Sequence, residues 1–185
     1  MDSGLRQQTL LIDREHLQSR IQELAIQIEE DLSSEALPLL VVVLKGGFLF
    51  GADLMRALSR PVPVIFAHAR AETETFVFTR EDLDLVAGRD VIVVDALMDT
   101  GGSMKRLLEL LKAQDPASMR VAVLLHKTVS LPTMVPVDYL GFEVPDVRLV
   151  GYGLDEDQLF RGLDAIFTWW ESKEARAFPA EDGML

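Results

Sequence analysis

Three unbroken apolar runs constrain this chain more than any other feature. They are "LPLLVVVL" from Leu37 to Leu44, "VIVV" within "RDVIVVDAL", and "VAVLL" within "MRVAVLLHK". A strand with one wet face alternates apolar and polar residues, so an unbroken run requires cover on both faces. Helical spacing fills the intervals. "FLFGADLMRALS" follows the first run, and Met104, Leu107, Leu108 and Leu111 form a stripe after the second. Ahead of all three, Leu17, Ile21, Leu24, Ala25, Ile28 and Leu32 repeat helically, with Asp13 as N-cap and Ile12 placed to staple onto Leu17. Shorter candidate strands are "VPVIFAHAR", "ETFVFT", "VDYLGFEVP", "RLVGYG" and "DAIFTW". Strands alternating with helices build βαβ units, so the expected fold class is α/β, a mainly parallel twisted sheet flanked by helices. We expect one domain over 1–185, with a polar tail at 171–185 that frays. In such sheets ligands bind at the carboxyl ends of the strands. Two of those ends carry glycine and charge: Lys45-Gly46-Gly47, and the stretch from Asp95 to Ser103.

Composition removes several function classes. The chain has no cysteine, which excludes disulfides, thiolate catalysis and Cys-ligated metal centres. A net charge of −12 repels nucleic acid, so a DNA or RNA partner is not expected. No apolar run approaches the roughly 18 residues of a membrane span. The N-terminal "MDSGLRQQTLLIDREH" has neither the basic region nor the apolar block of a signal peptide, and a cytoplasmic location is expected. An anionic substrate would therefore have to be held by local devices: helix N-termini, a few basic residues or a bridging metal ion.

"DTGGS", Asp99 to Ser103, lies where a strand ends and a helix begins. Gly101 and Gly102 let backbone amides approach a ligand, Thr100 and Ser103 add hydroxyls, and the helix dipole supplies positive potential. The plainer alternative is a tight turn in which Thr100 or Asp99 caps the helix. The pattern matches neither the Walker A motif nor GxGxxG. With Asp95 and Asp99 flanking it, a ligand bearing both phosphate and hydroxyl groups, such as a phosphorylated sugar, fits the turn.

"VIVVDALMDTGGSM" resembles the phosphoribosyl diphosphate (PRPP) signature of type I phosphoribosyltransferases, and "VVVLKGGFLFGADLMRAL" resembles the first substrate loop of their hypoxanthine-guanine branch. "VAVLLHK", "VDYLGFEVPD" and "VGYGLDEDQLFRGL" resemble the same branch in the same order. The resemblance implies that family's fold, with a small C-terminal hood. It implies purine salvage, in which PRPP and hypoxanthine or guanine give a nucleoside monophosphate and pyrophosphate. It also implies Mg2+ as cofactor and a homodimer or homotetramer.

Carried over by residue, the resemblance implies that Asp99, Thr100, Gly101, Gly102 and Ser103 hold the 5′-phosphate. Asp99 is the acid or base at the purine N7. Lys45 and Gly46 contact pyrophosphate after a non-proline cis peptide, together with Arg161. Asp95 meets the ribose, directly or through metal, and Asp155 ligates Mg2+. Lys127, Arg148 and Leu149 bind the base. Without the resemblance, Asp155 and Arg161 would be read as a surface ion pair.

Three positions and one stretch depart from the pattern. Ala96 replaces a second acid beside Asp95, a loss of roughly 1–3 kcal/mol of sugar binding. Arg148 stands where the family carries an aromatic or large apolar residue, and either stacks on the base or faces solvent. Phe66–Thr79 occupies the lid region without the family's Ser-Tyr pair, and His68 and Arg70 within it read as loop residues. Gly102 stands where lysine or leucine is common. These departures raise two alternatives: a relative that binds nucleotide or PRPP without efficient turnover, and a transferase for a different base. Trp169 and Trp170 are candidates for an interface, with packing of the last strand as the plainer account of at least one.

Overall fold

The structure, a computed structural model, describes residues 7–32, 37–70, 75–128 and 134–170. The expected fraying of 171–185 and part of the expected lid, 71–74, lie outside the described residues. In chain order the elements are β1 (Gln7–Ile12), α1 (Arg14–Asp31), β2 (Leu39–Leu44), α2 (Phe48–Ala57), β3 (Val64–Arg70), β4 (Thr75–Val77), α3 (Arg80–Asp84), β5 (Asp90–Met98), α4 (Gly102–Lys112), β6 (Ser118–Thr128), β7 (Tyr139–Pro145), β8 (Leu149–Val150) and β9 (Ile166–Trp170).

Six strands form the main sheet in the order β4-β3-β2-β5-β6-β7. Every neighbouring pair is parallel except β3 and β4. The apolar runs are explained by what lies on each side of them. On one face of β5, Ile92, Val94 and Ala96 join the core with α1 and α2; on the other, Val91 and Val93 pack with Met104, Leu107 and Leu111 of α4. Each large aliphatic side chain buried in this way stabilises the fold by ~1.5–3 kcal/mol. Leu108 is only partly buried against the second core.

The start of α1 follows its sequence signals. Asp13 accepts the His16 amide at 2.9 Å, and Ile12 and Leu17 are buried in one core. Arg20 then donates to the carbonyls of Leu140 at 2.7 Å and Gly141 at 3.0 Å, tying α1 to β7.

A second, antiparallel sheet, β1-β9-β8, makes the hood. "RLVGYG" contributes only the two residues of β8, because Gly151 (φ 99), Tyr152 (φ 46) and Gly153 (φ 97) turn the chain out of the strand. Two elements are additions to the sequence reading. β1 exists by pairing with β9, at the far end of the chain. α3 begins with a capping box between Thr79 and Asp82. His68 and Arg70 belong to β3, correcting their reading as loop residues. Trp169 is 4% exposed and lies 4.7 Å from the Phe160 ring, so strand packing accounts for it.

Candidate active site

β5 delivers Asp95 to the floor of a cavity of about 390 Å³ at the carboxyl edge of the sheet. The rest of the lining is Leu97, Met98, Arg106 and every residue from Asp99 to Met104. Gly101, with φ 79, is the N-cap of α4, and no side chain caps the helix. Capping by Asp99 or Thr100 is thereby corrected. Gly101 takes the cap position in a left-handed conformation that a side chain would strain, and the first-turn amides keep their potential for an anion.

Asp99 meets Lys127, which β6 carries out beside it. The Lys127 ammonium lies 3.5 Å from Asp99 Oδ1 and 3.2 Å from Asp146 Oδ1, and its side chain is only 14% exposed. The two residues assigned to the purine edge are thus brought together, with Asp146 as a third member that the sequence reading missed. Its position two residues before Arg148 carried no signal of contact with Lys127.

Asp95 Oδ1 accepts the Ala96 amide at 2.8 Å. Burial pushes the Asp95 carboxyl up to about 7, against the lowering effect of the Ala96 and Leu97 amides. Ala96 points the other way. It is 1% exposed and belongs to the apolar core with Phe50, Tyr152 and Leu154. Strand alternation separates the two positions, so a second acid at 96 would have faced the Gly46 turn.

Beside β5, the turn after β2 belongs to a cross-tied corner. The Leu44–Lys45 peptide is cis, as the resemblance implied. Gly46 and Gly47 bring the following turn close to its neighbours: a Cβ on Gly47 would lie 2.7 Å from the Val43 carbonyl oxygen and 3.2 Å from that of Val94. Lys45 Nζ donates to Gln158 Oε1 at 3.3 Å. Arg161 donates to the Gly153 carbonyl at 2.8 Å and to Gln158 Oε1 at 3.4 Å, and pairs with Asp155 Oδ1 at 2.6 Å. Asp155 Oδ2 accepts the Gln158 amide at 2.8 Å. The Asp155 and Arg161 side chains are 24% and 21% exposed, so this is not a solvated surface pair. Gln158 is the member of the corner that sequence reasoning missed.

The corner is anchored from behind. The Tyr152 hydroxyl donates to Asp53 of α2, and burial together with that carboxylate pushes the phenol pKa up. A Cβ on Gly153 would lie 2.1 Å from the Gly46 carbonyl oxygen, so the two turns touch backbone to backbone.

The remaining base-site candidates, Arg148 and Leu149, lie at the start of β8. Arg148 is 60% exposed and pairs with Glu156 at 2.6 Å, which is the solvent-facing placement of the two expected. Leu149 is buried in β8, opposite Thr168.

Among the described residues no group of three or more acids and histidines gathers to hold a metal. Asp95 lines the cavity and Asp155 pairs with Arg161 in the corner. Lone carboxylates of this kind suit Mg2+ held mainly by substrate phosphates rather than a resident ion in a protein cage.

A family model described as the phosphoribosyl transferase domain matches residues 10–157. The chain belongs to the phosphoribosyl transferase family. Relatives within this family include the hypoxanthine-guanine phosphoribosyltransferase of Dictyostelium discoideum, 36% identical over 163 residues that make up 83% of this chain and 91% of the relative. Another is the hypoxanthine phosphoribosyltransferase of Haemophilus influenzae, 34% identical over 85% of this chain and 92% of the relative. A solved hypoxanthine-guanine phosphoribosyltransferase from Bacillus anthracis superposes with a TM-score of 0.78 at 30% identity, over 89% of this chain and 99% of that one. A solved hypoxanthine-guanine-xanthine phosphoribosyltransferase gives a TM-score of 0.80 at 30% identity, over 88% and 97%. The mainly parallel sheet with flanking helices is the phosphoribosyltransferase fold that these neighbours share.

Proposed function

We propose that the chain transfers phosphoribosyl from PRPP to hypoxanthine or guanine, giving IMP or GMP and pyrophosphate. The observation that carries this reading is the approach of Lys127 to Asp99 at 3.5 Å, beside a helix start that no side chain caps. A 5′-phosphate on the α4 amides and the Thr100 and Ser103 hydroxyls sets the sugar over Asp95. Asp99 then faces the imidazole edge of the purine and Lys127 its 6-oxo group, while Leu149 offers backbone groups to the base. Arg148, drawn to Glu156, faces solvent.

As the C1–O bond to pyrophosphate breaks, positive charge develops on the sugar and negative charge on the leaving group. The purine nitrogen forms the new bond to C1, and Asp99 takes up the purine proton. Lys45 and Arg161 stabilise the departing pyrophosphate, and the Gly46 amide lies beside them. Mg2+, when bound, would spread the charge of the diphosphate, and Asp155 and Asp95 are the carboxylates that would help hold it. In this structure Asp155 pairs with Arg161 at 2.6 Å. PRPP is charged and does not cross membranes unaided, which supports a cytoplasmic location. Assembly into dimers or tetramers stays with the family resemblance.

The reading is tested by incubating the protein with PRPP, Mg2+ and labelled hypoxanthine or guanine. Formation of the monophosphate, abolished in Asp99→Asn, is expected. Saturable PRPP binding with no product from either base would overturn it in favour of a binding protein. Turnover of xanthine alone would move it to a different base.

A further inference from the structure

The cavity contains a charged side chain with no role so far. Arg106 lies one turn into α4, three residues after Ser103 and four after Gly102, on the face of the helix that the cavity uses. Its Nη2 donates to Ser103 Oγ at 3.1 Å. Its Nη1 lies 3.9 Å from the point where a Cβ on Gly102 would stand. The guanidinium therefore leans back over the start of the helix, above the glycine.

Charge balance makes that position significant. The rest of the cradle is neutral or negative: backbone amides, the hydroxyls of Thr100 and Ser103, and the carboxyl groups of Asp95 and Asp99. Lys127, the cation nearest Asp99, is shared between Asp99 and Asp146. A sugar phosphate carries between one and two negative charges and would enter a chain of net charge −12. Helix-terminal amides offer only about half a unit of positive charge. A guanidinium adds a full unit, in a planar fork that matches two phosphate oxygens.

We infer that Arg106 is a phosphate-binding residue of the cradle, placing over Gly102 a positive charge that the glycine leaves room for. The inference rests on the reading of α4 as the 5′-phosphate site and adds the group that makes the site cationic. The bond to Ser103 orients both donors toward the same spot, so Ser103 and Arg106 act on the phosphate together. Arg106 is exposed on the helix, and its replacement leaves the apolar stripe of Met104, Leu107 and Leu111 untouched.

The test compares GMP with guanosine, which lacks only the phosphate, by calorimetry on wild type, Arg106→Ala and Arg106→Lys. Arg106→Ala is expected to weaken GMP on the order of tenfold to thirtyfold while guanosine stays within twofold. Arg106→Lys keeps the charge but loses the fork, and is expected to lose only about twofold to fivefold. Adding Gly102→Lys to Arg106→Ala returns a cation to the same space and is expected to recover at least threefold. The KM for the free base should stay unchanged throughout. Arg106→Ala binding GMP within twofold of wild type, an equal loss of guanosine, or no recovery from Gly102→Lys would each overturn the inference. If wild type itself fails to bind GMP, the fault lies with the proposed function instead.

Discussion

On the proposed function, the two ends of the site grip an anion in an acidic protein in opposite ways. The cradle at the start of α4 is made of backbone and carries no side-chain cap, so a phosphate can enter with its donors already aimed. The corner formed by Lys45, Gly153, Asp155, Gln158 and Arg161 is occupied by its own groups, which bond to one another within the chain. On that proposal, such a site has a built-in order. The monophosphate end would fix the ligand, and the diphosphate end would have to give up internal bonds before holding its charge. That exchange is reversible, which suits a corner that must also release pyrophosphate.

The largest expected effect separates chemistry from grip. Asp99→Asn should lower kcat on the order of 10²–10⁴-fold in steady-state assays while changing GMP affinity by only a few fold, since the cradle amides are untouched. An equal loss of both would mean that Asp99 belongs to the cradle rather than to the reaction.

Gly153→Ala probes the corner. The position has φ 97, and a methyl group would lie 2.1 Å from the Gly46 carbonyl oxygen, so a backbone must move. A stability loss of about 2–4 kcal/mol in urea denaturation is expected, with a raised KM for PRPP. Gly101→Ala is the matched change in the cradle. There φ is 79 but the nearest atom, the Met98 sulfur, is 3.4 Å away, so only the left-handed conformation is penalised. Its expected cost is ~1 kcal/mol. Equal losses at the two glycines would erase the contrast between a packed corner and an open cradle.

The Asp95 carboxyl gives a pH test lying between those two in size. Its pKa stands near 7 in the folded protein against an ordinary value of 3.8, so the unfolded chain ionises first and stability falls as pH rises from about 4 to 7. Asp95→Asn should therefore be more stable than wild type at pH 8, on the order of 1–3 kcal/mol by thermal or urea melting. Binding runs the other way. Ribose hydroxyls and Mg2+ favour the carboxylate, so PRPP affinity should drop toward tenfold per unit below pH 7, and that slope should vanish in Asp95→Asn. This is the exchange of stability for function expected where a site needs a buried charge.

The sequence was most readable where burial leaves a regular trace. The apolar runs of β2, β5 and β6 declared a sheet covered on both sides, and the glycines at 46–47 and 101–102 marked the strand ends that carry the site. The outward turn of Asp95 and the inward turn of Ala96 follow from alternation along β5. Gln158 was hidden for a physical reason. Asp157, Gln158 and Phe160 take left-handed conformations without glycine, held by surrounding bonds that local sequence does not encode. β1 was hidden because its strand character depends on β9, which pairs Gln7 with Trp170. The Lys127–Asp146 contact arises from the parallel register of β6 and β7, where Lys127 sits opposite Val144, just before the turn that bears Asp146.

The contact between Gly153 and Gly46 also bears on how such a protein can change over generations. Gly153 cannot acquire a side chain while the turn of Gly46 stays where it is, although the two are far apart along the chain. Drift at Gly153 is hostage to the path of that earlier turn, and a chimera that brings a side chain to position 153 from a distant cousin must bring a displaced first turn as well.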